Sequence, residues 1–182
     1  RDMAVFNVLS GARTARFLID KGIKLNEQRN FEEALQVFDR ALDIGDKEIE
    51  NLRRKEARFK DSDHSEKAIR CFYRIRKVEK QNALLWFYKG TSYRNLHRYV
   101  EALTCYDKAL KFDPQHAEIW FNKGVSLHGL ERYEEAIEAL DEAIELDPRD
   151  AAAWFNKGVS LHSLERFQEA IENYDKTLAL DP

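Results

Sequence analysis

The sequence is poor in the residues that build turns, disulfides and membrane spans. It has seven glycines and three prolines among 182 residues, too few turn residues for a many-stranded sandwich or barrel. No apolar run approaches the ~20 residues that a helix needs to cross a bilayer, so we predict no membrane span. Charged residues make up 35% of the chain and the formal net charge is −3. This composition is typical of a soluble, helix-rich chain and excludes a disordered one.

Cysteine is also scarce. Cys71 and Cys105 are the only two, and they lie 34 residues apart. If they hold equivalent places on neighbouring helical units, their helices are about 8–10 Å apart, whereas a disulfide needs Cα atoms within roughly 7 Å. We therefore predict two free thiols, which fits a reducing compartment, the cytoplasm.

What the sequence does have is self-similarity at a fixed spacing. Residues 120–148, WFNKGVSLHGLERYEEAIEALDEAIELDP, return 34 residues later as WFNKGVSLHSLERFQEAIENYDKTLALDP. Related segments begin at residues 86 and 18. The spacing predicts five units without insertions, at 15–48, 49–82, 83–116, 117–150 and 151–182.

Each unit has the pattern of two amphipathic helices. In unit four, Trp120 and Leu127 belong to the apolar stripe of a first helix, and Ile137 and Leu140 to that of a second, with apolar residues three and four apart. Proline disfavours helical geometry at the residue before it, so the second helices of units three to five should end there. These prolines are Pro114, Pro148 and Pro182.

Small residues recur where the two helices of a unit should meet. Glycine inside a helix costs on the order of 1 kcal/mol relative to alanine, yet it recurs in four first helices, as Gly22, Gly90, Gly124 and Gly158. Alanine recurs in the second helices, as Ala34, Ala68, Ala102, Ala136 and Ala170. We predict a helix contact at these glycines that is too close for a Cβ atom.

The pattern W-x2-K-G-x2-Y/L, followed by A-x3-F/Y/L-x2-A and a proline, resembles the tetratricopeptide repeat family over residues 15–182. The resemblance implies an all-α fold, an α-solenoid in which antiparallel helix pairs stack into a right-handed superhelix whose first helices line a concave surface. It also implies a scaffold that binds a protein or peptide. A lysine before the glycine departs from the family pattern, at Lys21, Lys89, Lys123 and Lys157.

Unit two is degenerate, and the two chain ends have patterns of their own. Lys55 and Glu56 stand where an apolar residue and glycine belong, and Lys80 replaces the proline. An apolar stripe persists, so we predict two helices and a looser joint at residues 49–82. Residues 1–14 are predicted to form a short capping helix on unit one. No polar capping helix follows residue 182, where we expect a contact with another surface or further chain.

The resemblance also predicts a peptide-binding groove. Its residues on units three to five are Phe87, Phe121 and Phe155; Tyr88, Asn122 and Asn156; Thr91, Val125 and Val159; and Arg94, His128 and His162. We expect the phenylalanines to form an exposed apolar strip, flanked by amides that bond a peptide backbone. The alternative is that these rings pack against neighbouring helices.

The best-known groove of this family grips the carboxylate at the end of heat-shock chaperones. That clamp needs a lysine and an asparagine one turn apart on one first helix. Here the pair of positions holds Ile19 and Ile23 in unit one and Phe87 and Thr91 in unit three. We therefore expect a partner other than a chaperone tail.

Charge is segregated along the chain. Residues 49–82 hold 11 basic and 6 acidic groups, net +5, and residues 117–150 hold 3 and 10, net −7. The basic patch Arg53, Arg54, Arg58 and Lys60 could meet an acidic protein, a nucleic-acid backbone or the acidic end of a second copy. Self-association through the last unit and these opposed charges is therefore the second hypothesis. Nucleic-acid binding is weaker, because the groove lacks aromatic residues beside these basic ones and the net charge is negative.

Catalytic and metal-binding motifs are missing from the sequence. His128 and His162 lie one unit apart, too far to share a zinc ion, and no cysteine or histidine spacing fits a metal site. The sequence has no phosphate-binding loop and no G-x-S-x-G motif. We predict no enzyme activity, no metal and no cofactor.

Overall fold

Helices account for nearly all of the computed structural model, which describes residues 2–61 and 64–181, with side chains from residue 14 onward. The described residues contain no strand, which confirms the all-α prediction. The helices are α1 (Asp2–Glu27), α2 (Phe31–Asp61), α3 (Ser65–Asn95), α4 (Tyr99–Phe112), α5 (Ala117–Gly129), α6 (Tyr133–Leu146), α7 (Ala151–Ser163) and α8 (Phe167–Leu180). None of the helices in this part of the chain has the length and apolarity to cross a membrane.

The chain divides into two compact bodies, residues 1–92 and 93–182. In the first body, α1 packs against α2. In the second body, each helix from α4 to α8 contacts the next one, and α5 also contacts α7. The second body is thus a regular stack of helix pairs.

The glycines mark close helix contacts, as predicted. A Cβ atom on Gly22 would collide with the ring of Phe38, and one on Gly124 would collide with Leu140. Gly158 lies in the same way against the ring of Tyr174. Each of these glycines lets the first helix of its unit approach the large residue at the centre of the second helix.

The turn between first and second helix is the same in units one, three, four and five. One residue of each turn has φ between 57° and 60°, although none is a glycine: Arg29, His97, Glu131 and Glu165. After the turn in unit four, the amide of Arg132 donates to the carbonyl of Leu127 at 3.0 Å. A left-handed non-glycine residue costs on the order of 1 kcal/mol, so helix packing and these hydrogen bonds must offset the strain.

Unit two departs from the predicted arrangement. The predicted boundaries 48/49 and 82/83 lie inside α2 and α3, which are each continuous helices of 31 residues. The reason is the missing proline: Asp46 and Lys80 occupy the positions that Pro114 and Pro148 hold in later units. Nothing therefore interrupts the helical hydrogen bonds at either boundary.

Residues 49–82 are hereafter called the arm. Its described parts, residues 49–61 and 64–82, contain two antiparallel helical segments with a core of their own. That core consists of Ile49, Leu52, Cys71, Ile75 and Val78. Ion pairs link the two helices, from Arg74 to Glu48 at 2.8 Å and from Arg53 to Glu79 at 3.3 Å. At 1.5 Å per residue, the arm extends roughly 20 Å along the axis of α2 beyond unit one.

The first helix of unit three packs directly on unit one. Leu85 lies in one apolar cluster with Leu18 and Phe38, and Lys89 forms an ion pair with Asp39. The corresponding pair between units four and five, Lys157 and Asp141, joins residues 16 apart, whereas Lys89 and Asp39 are 50 apart. The two sequence separations differ by the 34 residues of one repeat.

A second contact has the same offset. The Ser92 hydroxyl donates to Asn26 Oδ1 at 2.7 Å, and the equivalent positions in units four and five are Ser160 and His128, 3.0 Å apart. Contrary to the prediction, residues 49–82 do not stack between units one and three. The first helix of unit three takes the place that unit two was expected to fill.

The N-terminal segment is not a separate helix, because α1 runs without a break from Asp2 to Glu27. Its predicted capping contact with unit one depends on side chains 1–13, which lie outside the described ones. Cys71 and Cys105 are both buried and free.

Candidate functional site

The predicted groove residues of units four and five lie on α5 and α7, the two first helices that contact each other in the second body. We call this surface the α5–α7 face. Its apolar members are Phe121, Val125, Phe155 and Val159, and its polar members are Asn122, His128, Asn156 and His162. Every residue discussed for this face belongs to one compact body.

The two phenylalanines of the α5–α7 face reach solvent to different extents. Phe121 is half-buried and packs against the cluster of Ala143, Ile144 and Ala153. Phe155 is 49% exposed, with its ring centroid 5.8 Å from that of Tyr174. Val125 and Val159 are half-buried. The face therefore offers an apolar strip whose most accessible side chain is Phe155.

The prediction of an exposed phenylalanine in unit three is wrong. Phe87 is only 5% exposed, and its ring centroid lies 5.3 Å from that of Tyr88. Tyr88 itself stacks on Phe38 of unit one, and its carbonyl accepts a hydrogen bond from Asn26. The alternative interpretation, packing inside the protein, therefore holds for Phe87 and largely for Tyr88, because this helix packs on unit one.

The other two predicted groove residues of unit three are half-buried. The hydroxyl of Thr91 donates to the carbonyl of Phe87 at 3.1 Å, within its own helix. Arg94 donates to the side chain of its neighbour Asn95. Neither contact prepares a polar surface for a ligand.

The predicted peptide-binding amides are already engaged with their own helices. Asn122 is 5% exposed and donates to the carbonyl of Glu118 at 2.7 Å, so it cannot bond a docked backbone as predicted. Asn156 donates in the same way to Ala152 at 2.8 Å, but it is only half-buried. Of the two amides, Asn156 is the one at the surface.

The two histidines differ in their surroundings. His128 is half-buried, and its Nδ1 lies 3.0 Å from the hydroxyl of Ser160 on the neighbouring first helix. Burial lowers the pKa of His128 below its ordinary value of 6.5, so the ring is neutral at pH 7. His162 is exposed, and its ring lies in a T-shaped arrangement with that of Phe167, with 5.2 Å between the centroids. Within the described residues, no three His, Cys, Asp or Glu side chains are grouped as metal ligands.

The basic patch is exposed on the arm. Arg54 pairs with Glu50 at 2.5 Å, and Lys60 pairs with Glu56 at 2.7 Å. Arg53 pairs with Glu79 across the hairpin, and Arg58 is exposed. The patch therefore lies on the arm, a part of the first body. Exposed pairs of this kind contribute at most about 1 kcal/mol.

The recurring lysine, which sequence analysis noted only as a departure, has a role in joining units. Lys123 pairs with Asp107 of the preceding unit at 2.7 Å, and Lys157 pairs with Asp141 at 2.5 Å. Lys123 also lies over the ring of Trp120, 5.1 Å from its centroid. The available signal was a matching recurrence of aspartate in the second helices, at Asp39, Asp107, Asp141 and Asp175.

Comparison with known proteins agrees with this arrangement. The model of the family described as tetratricopeptide repeat matches residues 58–117, 88–150 and 121–182. No curated protein sequence matches the chain. The first TPR domain of Spaghetti (RPAP3) bound to the HSP90 peptide SRMEEVD is 27% identical, with a TM-score of 0.55 over 57% of this chain and 82% of that one.

Two further solved structures have the same fold. The TPR2B domain of yeast Sti1, in complex with pHsp70, is 25% identical over 57% of this chain and 81% of that one, with a TM-score of 0.52. MamA covers 93% of both chains at 18% identity and a TM-score of 0.54, which shows the fold alone. The matched residues span more than half of the sequence, and the fold is an all-α solenoid. The chain belongs to the tetratricopeptide repeat family, whose members are protein–protein interaction modules.

Proposed function

We propose that this chain is a non-catalytic, cytoplasmic scaffold that binds a peptide or protein segment on the α5–α7 face. The observation that carries the proposal is the apolar strip of this face, in which Phe155 is 49% exposed beside half-buried Phe121 and Val159. Apolar side chains gathered at a surface commonly mark a docking site. The described residues offer no grouped metal ligands that would favour a reaction centre instead.

The spacing of the strip suggests the form of its ligand. Phe121 and Phe155 are equivalent residues on first helices of neighbouring units, and packed helices are about 9 Å apart. A segment in the extended polyproline II conformation advances roughly 9 Å in three residues and brings side chains i and i+3 to the same face. We expect a ligand with apolar side chains at positions i and i+3, one against each phenylalanine, and a backbone carbonyl near Asn156.

A chaperone-tail ligand is not part of the proposal, although the Spaghetti domain carries an HSP90 peptide in its structure. The two positions that would supply the clamp's lysine and asparagine hold Phe121 and Val125 on α5. The lysines nearest to this face, Lys123 and Lys157, pair with aspartates of the preceding units. We expect the peptide SRMEEVD to show no saturable binding.

A display library of linear random peptides, selected on the whole chain, tests the site. Peptides with apolar residues at i and i+3 should be enriched. Phe155→Ala combined with Phe121→Ala should weaken them at least about tenfold, a size typical of central interface residues. Leu178→Ala, an exposed residue of α8 in the same body, is the matched control. Phe87 is left unchanged, because replacing a buried ring would damage the fold.

Three results would contradict the site on the α5–α7 face. They are unchanged affinity in the double variant, equal weakening in the Leu178 control, and enrichment of sequences without the i, i+3 pattern. Tight binding of SRMEEVD would show that the chain is a chaperone adaptor in spite of its missing clamp residues.

The second candidate function is self-association through α8. This helix exposes Phe167, Ile171 and Leu178, and Asp175 holds the position at which Asp107 and Asp141 accept a lysine. Lys21 of a second copy is the equivalent donor in unit one. Sedimentation at low and high salt tests this candidate, because a strict monomer in both conditions excludes it.

A further inference from the structure

The arm exposes residues whose equivalents are buried in units one, three and four. Phe72 is 44% exposed, whereas its equivalents Phe38, Tyr106 and Leu140 are fully buried. Ile69 is 53% exposed, whereas its equivalents Leu35, Leu103 and Ile137 are all under 9% exposed. Unit two has therefore kept the apolar side chains of a second helix but has lost what covers them.

The other units show what normally covers this position. Leu103 of unit three packs with Leu127 on α5, and Ile137 of unit four packs with Leu161 on α7. In both cases the cover is the first helix of the following unit. For the arm, the first helix of the following unit is the last part of α3. That part packs on unit one instead, as the ion pair of Lys89 with Asp39 shows. The exposed face of the arm is thus a helix-docking surface whose own helix lies elsewhere.

A cleft marks this surface. It has a volume of about 520 Å³ and lies between the two helices of the arm, lined by Glu56, Lys60, Ser65, Ala68, Ile69, Phe72 and Tyr73. The apolar members follow one another at helical spacing along α3. A surface of this shape accepts the apolar face of an amphipathic helix, with its side chains at i, i+3, i+4 and i+7.

The chemistry of the cleft differs from that of the regular docking positions. Tyr73, 68% exposed, occupies the place of the lysine-accepting aspartates Asp39, Asp107 and Asp141. A repeat helix that brought a lysine here would lose its ion pair. The arm instead carries net charge +5. Lys60 lines the cleft together with its ion-pair partner Glu56, and Arg76, which pairs with Glu79, lies over the ring of Phe72, 5.5 Å from its centroid. The surroundings therefore favour a negatively charged ligand.

We propose that the arm binds an acidic amphipathic helix of a partner protein in the cleft between Lys60 and the Ile69–Tyr73 stripe. The apolar face of that helix covers Ile69 and Phe72, and its carboxylates face Lys60 and Arg76. This site is independent of the α5–α7 face, which takes an extended segment in the other body.

A panel of synthetic helical peptides tests the proposal on the whole chain. The panel has one amphipathic pattern of 14 residues, the length of α6, with the polar positions filled by glutamate, glutamine or lysine, and a scrambled glutamate version. Fluorescence anisotropy should show saturable binding of the glutamate peptide. The glutamine peptide should bind about tenfold more weakly, and the lysine and scrambled peptides should not bind.

Ile69→Ser is the test variant. Ile171→Ser is its matched control, because it makes the same substitution at the same repeat position. The two isoleucines are 53% and 51% exposed, so both variants should fold, which circular dichroism verifies. We expect Ile69→Ser to weaken the glutamate peptide at least about tenfold and Ile171→Ser to change its affinity less than twofold.

Several outcomes would overturn the proposal. One is the absence of saturable binding by the glutamate peptide, and another is equal binding of the lysine peptide. Equal weakening by Ile171→Ser would place the peptide on α8 instead. Dimerisation of the whole chain that Ile69→Ser abolishes would identify a second copy, and not a separate protein, as the occupant.

Discussion

The two bodies of this chain apply the same repeat in different ways. In residues 93–181, helices α4 to α8 follow one another as regular pairs, joined by the lysine–aspartate contacts of Lys123 and Lys157. In the first body, the same contact skips a repeat, from Lys89 to Asp39. The intervening residues leave as the arm. The contrast shows that the spacing of a repeat and the order of its stacking are separate properties.

The cause of the difference lies at two unit boundaries. Units three and four end with an aspartate and a proline, and α4 and α6 stop there. Unit one ends with Gly45 and Asp46, and unit two with Glu79 and Lys80, and helices run through both positions. When the second helix of a unit continues without a break, the chain does not turn there, and the next unit cannot pack against that unit. Unit two therefore projects away from unit one. The first helix of unit three packs instead on the surface of unit one that unit two leaves uncovered.

The largest contrast is expected from one substitution made at the same repeat position in both settings. Phe38→Ala should lower the free energy of unfolding by about 3–5 kcal/mol, because it empties a fully buried site. Phe72→Ala, at the equivalent exposed position of the arm, should cost about 1 kcal/mol or less. Urea unfolding followed by circular dichroism measures both. Equal losses would mean that Phe72 is buried and that unit two stacks like the others.

A proline that restores the family pattern should be harmful in the arm. Lys80→Pro places proline at the position of Pro114 and Pro148, but inside the continuous helix α3. We expect a loss of about 3 kcal/mol, because proline removes a helical hydrogen bond and clashes with the preceding turn. Lys80→Ala, at an exposed side chain, is the control and should change stability by less than about 0.5 kcal/mol. A stabilising proline would indicate a helix break and a regular unit.

The smallest expected effect is a coupling energy between two side chains. It distinguishes stacking of unit three on unit one from stacking of unit two on unit one. Regular stacking pairs Asp39 with Lys55, 16 residues on, whereas the observed contact is with Lys89. A double-mutant cycle of Asp39→Asn with Lys89→Met should give a coupling of about 0.5–1 kcal/mol. The cycle of Asp39→Asn with Lys55→Met should give none. A coupling at Lys55 and its absence at Lys89 would restore the regular order.

Much of the local structure could be predicted from the sequence because it depends on neighbours within one repeat. Gly22, Gly124 and Gly158 correctly indicated close helix contacts. The turn residues with positive φ escaped prediction, because Arg29, His97, Glu131 and Glu165 have no preference for that conformation. Their geometry follows from the packing of the two helices that they connect.

The candidate site was predicted less well than the fold. Placement on α5 and α7 followed from the repeat, but exposure did not: Phe87 and Phe155 are equivalent residues, and they are 5% and 49% exposed. A side chain's exposure depends on everything around it, and the sequence pattern describes only its own helix. Asn122 and Asn156 differ for the same reason.

Outside unit two, the sequence by itself determined the helices and their 34-residue spacing, and it determined the glycine-mediated pairing within units one, four and five, because these depend on residues a few turns apart. Only the tertiary structure decided which unit stacks on which. At the base of the arm, Asn82 bonds Asp46 at 3.0 Å, and the chain returns to the point where it left unit one. Stacking of unit two on unit one and stacking of unit three on unit one both satisfy the same repeat pattern. The choice between them depends on contacts between residues 50 or more apart.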